Sequence, residues 1–565
     1  MKKSSFFLSI LSFATGCLFI LLSLFTGFSL NGYKSPLGSN ISETMEHGNP
    51  VSEKVVLVVV DGLRHDVSCQ MEFLNSLRAN GGDFVSWTSI PSLSFPGWSA
   101  LLTGATPEIS GKILNWDMSE LRAENLFSIT KASGMENGLI GCPDWWVLLG
   151  DNITSGEKIE PSGDCVESDM RVKNAALRLV QNLPSFTLIH FLSVDEAGHL
   201  YGGNSEMYLE RAREIDGYIK EIAERFDWNT TTLIVTSDHG HRDEGGHGGE
   251  ELIARKSFAV FYGKGIKKAN GEINQIDICP TISNLLGIKI PSLAQGRILF
   301  ECLEQSIANE AIYACLLMKQ RYFFASAYLE AIGIKFQLNS SYIEIARAEI
   351  LAENYTKAEE ISLSGLKEYN LIVEKARERK IFEAQMNTFV FSFLALIFSV
   401  WVAGVMVLRT RIKPGEIVFS ALLVGIALLI YSLIFFLTEM AFSFSMFNEI
   451  GDVERTILLS FFVPGLIMLT TTTLYGYIKQ RKSGTERLNV EAIGLGMYAT
   501  LIVFLSLFLS INCVAYGFLF THFVIHIDAF MRVFLGGFIG GGLLMYLGIT
   551  LQLLEWLGQR KFKET

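Results

Sequence analysis

Residues 231–249, TTLIVTSDHGHRDEGGHGG, join an apolar, β-branched run to a polar, glycine-rich loop. The run at 231–235 predicts a strand buried in a sheet, because such residues fit a pleated surface covered by other elements. Asp238 and His239 follow this strand directly, and His247 follows after a flexible turn. Carboxylate and imidazole groups at this spacing suit zinc, which takes nitrogen and oxygen ligands. An ordinary polar surface loop after a strand is the competing interpretation.

The composition indicates two kinds of region in one chain. Of the 565 residues, 49% are hydrophobic and 19% are charged. This is too apolar for a soluble protein of this length and too charged for one embedded wholly in a membrane. The net charge of −11 argues against a nucleic-acid partner, because such proteins present a basic face. The eight cysteines form no CxxC pair, so a structural zinc finger is not predicted.

A second apolar run, KVVLVVV at residues 54–60, predicts a strand buried on both faces. Strand and helix patterns alternate from this run to about residue 287. Further strands are predicted at 138–142, 186–192, 231–236 and 257–262, and helices at 69–80, 97–103, 167–182, 205–226 and 277–286. This alternation predicts an α/β fold with a mostly parallel sheet between helices. Ligand sites in such folds lie at the carboxyl ends of the strands.

Helical and apolar segments surround the predicted α/β region. An apolar run at 6–30 predicts a retained N-terminal anchor rather than a cleaved signal peptide. Five later runs, at 388–408, 417–438, 457–478, 492–518 and 533–556, each reach the roughly 20 residues that cross a bilayer. The predicted domains are an anchor at 1–31, an α/β domain at 54–297, a helical stalk at 298–386, and a membrane domain with about five transmembrane helices at 387–565.

Basic residues fall on one side of the predicted spans. They are Lys2 and Lys3, then Arg409, Arg411 and Lys413, then Lys479, Arg481, Lys482 and Arg487, and finally Arg560, Lys561 and Lys563. The positive-inside rule therefore places both termini in the cytosol and the α/β domain outside it, at the cell surface, in the periplasm or in the ER lumen.

Three other segments bring polar side chains to the same edge of the predicted sheet. Asp61 ends the first strand, Asp195 and His199 follow the strand at 186–192, and Ser94 precedes a helix. With the first loop they supply three Asp and three His, a set that suits two divalent metals. Two metals about 4 Å apart can clamp the attacking and leaving oxygens of a phosphoryl transfer. A helix N-terminus would favour the Ser94 alkoxide, although Ser94 is also typical of an ordinary helix cap.

These segments resemble the alkaline phosphatase superfamily. The residues that carry the resemblance are Val59-Val60-Asp61-Gly62, Ser94-Phe95-Pro96, the segment 195–199, Ser237-Asp238-His239-Gly240 and His247-Gly248-Gly249. Within the superfamily they are similar to the type I phosphodiesterase branch, and in particular to the GPI ethanolamine phosphate transferases. Those transferases also combine an N-terminal anchor, an exported domain and C-terminal membrane spans. The resemblance covers roughly residues 54–300.

The resemblance implies two zinc ions and one nucleophile. The implied ligands are Asp195, His199 and His247 for one zinc, and Asp61, Asp238, His239 and Ser94 for the other. Ser94 is also the implied nucleophile. Asn115 falls where phosphodiesterase relatives bind a phosphate oxygen. The sulfatase branch is excluded, because its Cys-x-Pro-x-Arg motif is missing from the chain.

From these residues we predict a membrane-bound, zinc-dependent phosphotransferase. It would move a phosphoethanolamine-like group from a membrane phospholipid to a glycan or glycolipid through a phospho-Ser94 intermediate. Its predicted partners are that lipid donor, that acceptor and the bilayer. Two alternatives stay open: a phosphodiesterase or phosphatase that uses water at the same site, and a lipid transporter or scaffold with an inactive catalytic domain.

Overall fold

Strand β1, Lys54–Val60, lies inside an eight-stranded sheet in the computed structural model of the chain. The other strands are β2 (Gly82–Trp87), β3 (Asn137–Gly141), β4 (Ser155–Lys158), β5 (Phe186–Phe191), β6 (Thr231–Thr236), β7 (Lys256–Gly263) and β8 (Ala269–Asn274). The structure describes residues 3–37, 46–161, 165–410, 414–437, 443–447, 450–483, 490–516, 520–521, 524–525 and 527–559.

The sheet is mixed but mostly parallel, in the order β4-β3-β5-β1-β6-β7-β2-β8. The pairs β4–β3, β3–β5, β5–β1, β1–β6 and β2–β8 are parallel. Strand β7 runs antiparallel to both of its neighbours, β6 and β2. The predicted α/β fold with a mostly parallel sheet between helices is therefore confirmed.

Helices account for most of the remaining regular structure. Those before residue 352 are α1 (Lys3–Asn31), α2 (His65–Ser68), α3 (Glu72–Arg78), α4 (Ser94–Thr103), α5 (Pro107–Ser110), α6 (Leu126–Ala132), α7 (Asp144–Leu149), α8 (Cys165–Leu179), α9 (Ser193–Tyr201), α10 (Glu206–Ala223), α11 (Leu252–Arg255), α12 (Ile278–Leu286), α13 (Ile307–Ala331) and α14 (Ser341–Leu351). Those after it are α15 (Tyr355–Thr410), α16 (Pro414–Leu437), α17 (Ile450–Ser483), α18 (Val490–Tyr516) and α19 (Ile527–Gln559).

Short elements complete the description. Single turns of 3₁₀ helix cover Gly150–Asn152, Val180–Asn182, Gln275–Asp277, Phe300–Cys302 and Phe444–Met446, and two short strands cover Phe520–Thr521 and Val524–Ile525.

Side-chain alternation along β1 builds a core on each face of the sheet. Val55, Leu57 and Val59 belong to one buried cluster, and Val56 and Val58 belong to the other. Successive residues of a strand point to opposite faces, so a run without polar residues is stable only when both faces are covered. This explains why the central strand is so apolar.

Three strands were not predicted from the sequence: β2, β4 and β8. Strands β4 and β8 form the two edges of the sheet, and most of their side chains are exposed. These strands need no apolar alternation, because alternation arises only where one face of a strand packs against a core. The helix predicted at 69–80 is interrupted, with α3 beginning only at Glu72 after Met71 in extended conformation.

The chain divides into two compact units. The sheet unit contains Tyr33–Lys380 and His522–Ile525, and the helical unit contains Met1–Gly32, Ile381–Thr521 and His526–Thr565. Within the sheet unit, α13 is bonded to the segment that follows α12: the Tyr313 hydroxyl donates to the carbonyls of Ser283 and Ile288, each at 3.1 Å. Residues on both sides of position 297 thus share one core, and the separate stalk at 298–386 stays a prediction.

The helical unit contains helices suited to a bilayer. Three segments are long and apolar enough to cross a membrane: Phe6–Phe25, Gly451–Ile478 and Phe530–Trp556. Shorter apolar stretches occur at Leu396–Val405, Val418–Leu433 and Ala492–Phe508. Each of the five predicted C-terminal spans thus coincides with a helix, although only two of them reach spanning length within the described residues. Lys2, Arg411, Lys413, Arg487, Arg560, Lys561 and Lys563, on which the predicted orientation partly rests, lie outside the described residues.

The first helix packs against the last within this unit. The hydroxyls of Ser9 and Ser12 donate to the carbonyls of Gly548 and Leu544 at 2.7 and 2.6 Å. Small residues and hydroxyl bonds of this kind hold helices together where lipid removes any hydrophobic driving force. The packing fits the prediction of a retained N-terminal anchor.

Candidate active site

The carboxyl ends of β5, β1 and β6 place most of the predicted site residues together. Asp61 follows β1, α9 carries Asp195 and His199 directly after β5, and Asp238 and His239 follow β6. These three strands are neighbours in the sheet. Parallel neighbours end at the same edge, so residues far apart in sequence converge there.

The buried cluster consists of Asp61, Asp238, His239 and Ser94. The Nε2 of His239 lies 3.3 Å from Asp61 Oδ1, 3.7 Å from Asp238 Oδ2 and 3.2 Å from the Ser94 hydroxyl. The two Asp and the His are buried, and Ser94 is half-buried. All four side chains therefore point at one small volume.

The open cluster consists of Asp195, His199, His241 and His247. The Nε2 of His199 lies 3.3 Å from Asp195 Oδ2 and 3.1 Å from His247 Nε2. His247 Nε2 is 3.6 Å and His241 Nε2 is 2.7 Å from Asp195 Oδ1. The two clusters adjoin, because the rings of His239 and His247 stack with centroids 3.7 Å apart. The site accordingly brings together all six predicted Asp and His ligands.

The donor sets fit divalent metals. Donor atoms of Asp61, Asp238 and His239 lie within 4.8 Å of one another, and so do those of Asp195, His239, His241 and His247. Asp61 Oδ1 is buried and has no well-aligned hydrogen-bond donor among the described residues. Three carboxylates this close repel one another, and buried charge of one sign is costly without a counter-ion. Cations held by Asp and His would remove that cost.

The pKa values of the buried cluster reflect the same repulsion between carboxylates. Burial, followed by repulsion from Asp61, raises the pKa of Asp238 to about 7. For His239, burial alone would lower the pKa, but Asp238 and Asp61 raise it to about 10. Burial also opposes ionisation of Asp61, whereas contacts with His190 and His239 hold its pKa below the usual value.

Backbone contacts fix the segments that carry the ligands. The Asp169 carboxylate accepts from the N–H groups of Leu192 and Ser193 at 2.9 and 2.8 Å, which caps the start of α9. The Ser92 hydroxyl accepts from Gly248 N–H at 3.0 Å and donates to the Gly249 carbonyl at 2.9 Å. These bonds hold Asp195 and His247 in place from outside the clusters.

Two glycines permit the close approach of these segments. Gly62 adopts φ of +68°, and a Cβ there would lie 2.8 Å from Asp195 Oδ1. A Cβ on Gly97 would lie 2.9 Å from the Asp238 carbonyl oxygen. Side chains at either position would push a predicted ligand out of place.

Asn115 is bonded to the residue that follows Ser94. Ser94 is the first residue of α4, at the positive end of the helix dipole, which favours negative charge. Asn115 Oδ1 accepts from the N–H of Phe95 at 3.0 Å. This bond ties Asn115 to the residue after Ser94 and leaves its amide hydrogens available to an oxyanion.

Two further side chains contact the ligands and were missed by the sequence reasoning. His190 Nε2 lies 3.0 Å from Asp61 Oδ2, and Trp98 Nε1 donates to Asp238 Oδ2 at 2.8 Å. Both are buried. A signal for His190 did exist, since it is a polar residue within the apolar strand FTLIHF. Trp98 carries no comparable sequence signal.

Comparison with known proteins supports the resemblance to type I phosphodiesterases and GPI ethanolamine phosphate transferases. Residues 55–159 and 164–274 match the family model described as type I phosphodiesterase / nucleotide pyrophosphatase. GPI ethanolamine phosphate transferase 2 of Kluyveromyces lactis is 27% identical over 294 residues, which cover 45% of this chain and 37% of that protein. GPI ethanolamine phosphate transferase 1 of Homo sapiens is 23% identical over 323 residues, which cover 47% and 34%.

One solved structure is also similar to part of the chain. Human ectonucleotide pyrophosphatase / phosphodiesterase 5 covers 45% of this chain and 100% of its own, at 16% identity and a TM-score of 0.38. The chain matches little more than a third of the length of the two transferases. The match to the type I phosphodiesterase / nucleotide pyrophosphatase family model thus falls wholly within the sheet unit.

Proposed function

We propose that this chain is a membrane-bound, zinc-dependent phosphotransferase. It would transfer a phosphoethanolamine-like group from a phospholipid to a glycan or glycolipid acceptor, with Ser94 as the covalent nucleophile. The observation that carries the proposal is the position of the Ser94 hydroxyl, 3.2 Å from His239 Nε2 in a cluster with two buried carboxylates. A phosphoryl group bound beside Ser94 would face both clusters at once.

The reaction has two displacement steps at phosphorus. Ser94 Oγ forms a bond to the phosphorus of the donor, the bond from phosphorus to the glycerol oxygen breaks, and diacylglycerol leaves with a proton. The acceptor hydroxyl then bonds to phosphorus while the bond to Ser94 Oγ breaks, and Ser94 regains its proton. Zinc bound at the two clusters would lower the pKa of the attacking hydroxyl and offset the phosphate charge. Asn115 would orient one phosphate oxygen through its amide hydrogens.

Exposed apolar side chains beside the site favour a lipid donor. Trp116 follows Asn115, and Leu200 and Tyr201 follow His199. Their exposed fractions are 42%, 66% and 55%. Apolar groups around a polar site are typical of pockets that take a ligand with both kinds of surface. A phospholipid, with a charged head and an apolar glycerol-acyl part, has that character.

The similar proteins favour transfer over hydrolysis. Both transferases named above act, by their names, as GPI ethanolamine phosphate transferases. The apolar helices support a membrane location, and a chain tethered to the bilayer meets a lipid donor at high effective concentration. We further propose that the sheet unit is extracytoplasmic and both termini are cytosolic.

Hydrolysis by the same site is the second candidate. The matching family model is itself described as a phosphodiesterase. Water would then replace the acceptor hydroxyl in the second step, and the first step would be unchanged. Product analysis with and without a glycan acceptor distinguishes these two functions.

The test is the intact mass of the purified chain after incubation with zinc and phosphatidylethanolamine. We expect a phosphoethanolamine adduct on the wild type and none on Ser94→Ala. The matched control is Ser99→Ala, in the same helix, whose buried hydroxyl has no partner among the described residues. An adduct of equal yield on Ser94→Ala would contradict the proposal.

A further inference from the structure

Three aromatic side chains form a buried wall behind the buried cluster. The wall consists of Trp98, Trp145 and His190, all nearly inaccessible to solvent. The two indoles stack with centroids 4.2 Å apart, and the His190 ring meets them edge-on at 4.9 and 5.4 Å. Its members come from α4, α7 and β5, so three separate elements meet at this point.

Two members of the wall reach a carboxylate with an N–H group. His190 Nε2 lies 3.0 Å from Asp61 Oδ2. The other ring nitrogen of His190 lies 3.9 Å from the Cys142 sulfur. An ionised carboxylate only accepts hydrogen bonds, so Nε2 carries the hydrogen in this contact. Trp98 Nε1, which can only donate, reaches Asp238 Oδ2 at 2.8 Å.

These bonds decide which carboxylate lone pairs face the centre of the cluster. With Oδ2 of Asp61 held by His190, Oδ1 is turned towards His239 Nε2 at 3.3 Å. Asp238 Oδ1 accepts from the N–H groups of Gly62 and His239, and the Trp98 bond occupies one lone pair of Oδ2. Neither carboxylate can rotate without breaking a buried hydrogen bond.

We propose that Trp98 and His190 are positioning residues that fix Asp238 and Asp61 as metal ligands. The inference rests on the proposed two-metal site and adds the partners that orient its buried half. Such partners of ligating groups typically change metal affinity about 10- to 100-fold when they are removed.

Trp145 is a matched control for Trp98 within the wall. Trp145 packs against the same two rings, and its buried Nε1 has no hydrogen-bond partner within the described part of the chain. Trp98→Phe and Trp145→Phe therefore remove the same side-chain volume from the wall, but only Trp98→Phe removes a bond to a carboxylate. A pure packing role predicts equal effects for the two variants.

The experiment measures zinc affinity of the full-length chain by competition with a chromophoric chelator, without any substrate. We expect Trp98→Phe and His190→Leu to bind zinc about 10- to 100-fold more weakly, and Trp145→Phe to match the wild type. His190→Gln, which keeps an N–H donor, should stay closer to the wild type than His190→Leu. Thermal unfolding of each metal-free variant shows whether it is folded.

Each outcome has a defined meaning. Equal losses of zinc affinity in Trp98→Phe and Trp145→Phe would overturn the positioning role, and so would wild-type affinity in Trp98→Phe and His190→Leu. A wild-type chain that binds no zinc would overturn both this inference and the proposed metal-dependent function. If Trp98→Phe fails to fold, the pair His190→Gln and His190→Leu decides, because a positioning role requires Gln to be the milder change.

Discussion

The buried cluster and the open cluster differ in how far water reaches their ligands. In the buried cluster, the exposed fractions of the Asp61, Asp238 and His239 side chains are 3%, 0% and 0%. In the open cluster, Asp195 and His199 are 20% and 24% exposed. The two halves of one site therefore stand in different dielectric surroundings although their His239 and His247 rings are stacked.

This difference matches the two displacement steps of the proposed reaction. The first step uses Ser94, a residue of the chain, so its surroundings can be closed and fixed in advance. The second step uses an acceptor that must enter from outside. An exposed rim at Asp195 and His199 leaves a path for it. In the proposed reaction, the buried carboxylates would orient the nucleophile and the exposed rim would admit the acceptor.

The largest expected effect is the loss of the first step in Asp61→Asn. This change removes a negative ligand from the buried cluster, where its charge and orientation are both fixed. We expect the rate of adduct formation on Ser94 to fall by at least about 10²- to 10³-fold, the scale of losing one preorganised electrostatic group. Intact mass at short times measures this rate. Asp66→Asn, at an exposed carboxylate that pairs with Arg64, is the control and should react at the wild-type rate.

Adduct formation at an unchanged rate in Asp61→Asn would contradict this assignment, because the buried cluster would then have no part in the first step.

A smaller effect of a different kind is expected for His199→Ala. The open cluster is assigned to the acceptor step, so the adduct should still form but should disappear more slowly. Loss of a proposed ligand should slow its decay at least about 10- to 100-fold, the scale on which loss of an orienting partner acts at a metal site. Pulse labelling followed by excess acceptor measures the decay. His47→Ala, at an exposed histidine distant in sequence, is the control. Loss of the adduct itself in His199→Ala would show that the two clusters do not divide the steps.

The sequence was most informative where apolar pattern and polar motif coincide. Strands β1 and β6 are continuous apolar runs ending in Asp, so both the strand and the ligand after it were predictable. The edge strands β4 and β8 were not, because solvent contact removes the pattern on which a prediction depends.

The supporting residues were unpredictable for another reason. His190 and Asp61 are 129 residues apart, and Trp98 and Asp238 are 140 apart. Their bonds arise only when α4 and β5 are placed around the end of β1, which is a property of packing and not of any local motif. His241 shows the intermediate case: it lies within the motif at 231–249, but its bond to Asp195 arises only in the fold.

The smallest expected effect concerns Glu46, which lies outside both clusters. It distinguishes unfolding of the chain in acid from loss of metal in acid. Partial burial opposes ionisation of Glu46, but hydrogen bonds from Arg347 and Lys319 lower its pKa to about 2 from 4.5. A carboxyl whose pKa is lower in the folded state stabilises the fold above pH 4.5, and that contribution is lost as the pH falls towards 2. Because the group is partly exposed, screening reduces the contribution to about 0.5 kcal/mol.

Glu46→Gln should accordingly lower the thermal midpoint of the metal-free chain by about 0.5–1 °C near pH 5 and by less near pH 3. Glu330→Gln, at an exposed position, is the control. An equal drop at both pH values would assign the effect to packing instead of charge. Once this small contribution of Glu46 to stability is known, a larger acid-induced loss of zinc can be attributed to protonation of the ligands. The order in which two zinc equivalents leave then compares the two clusters directly.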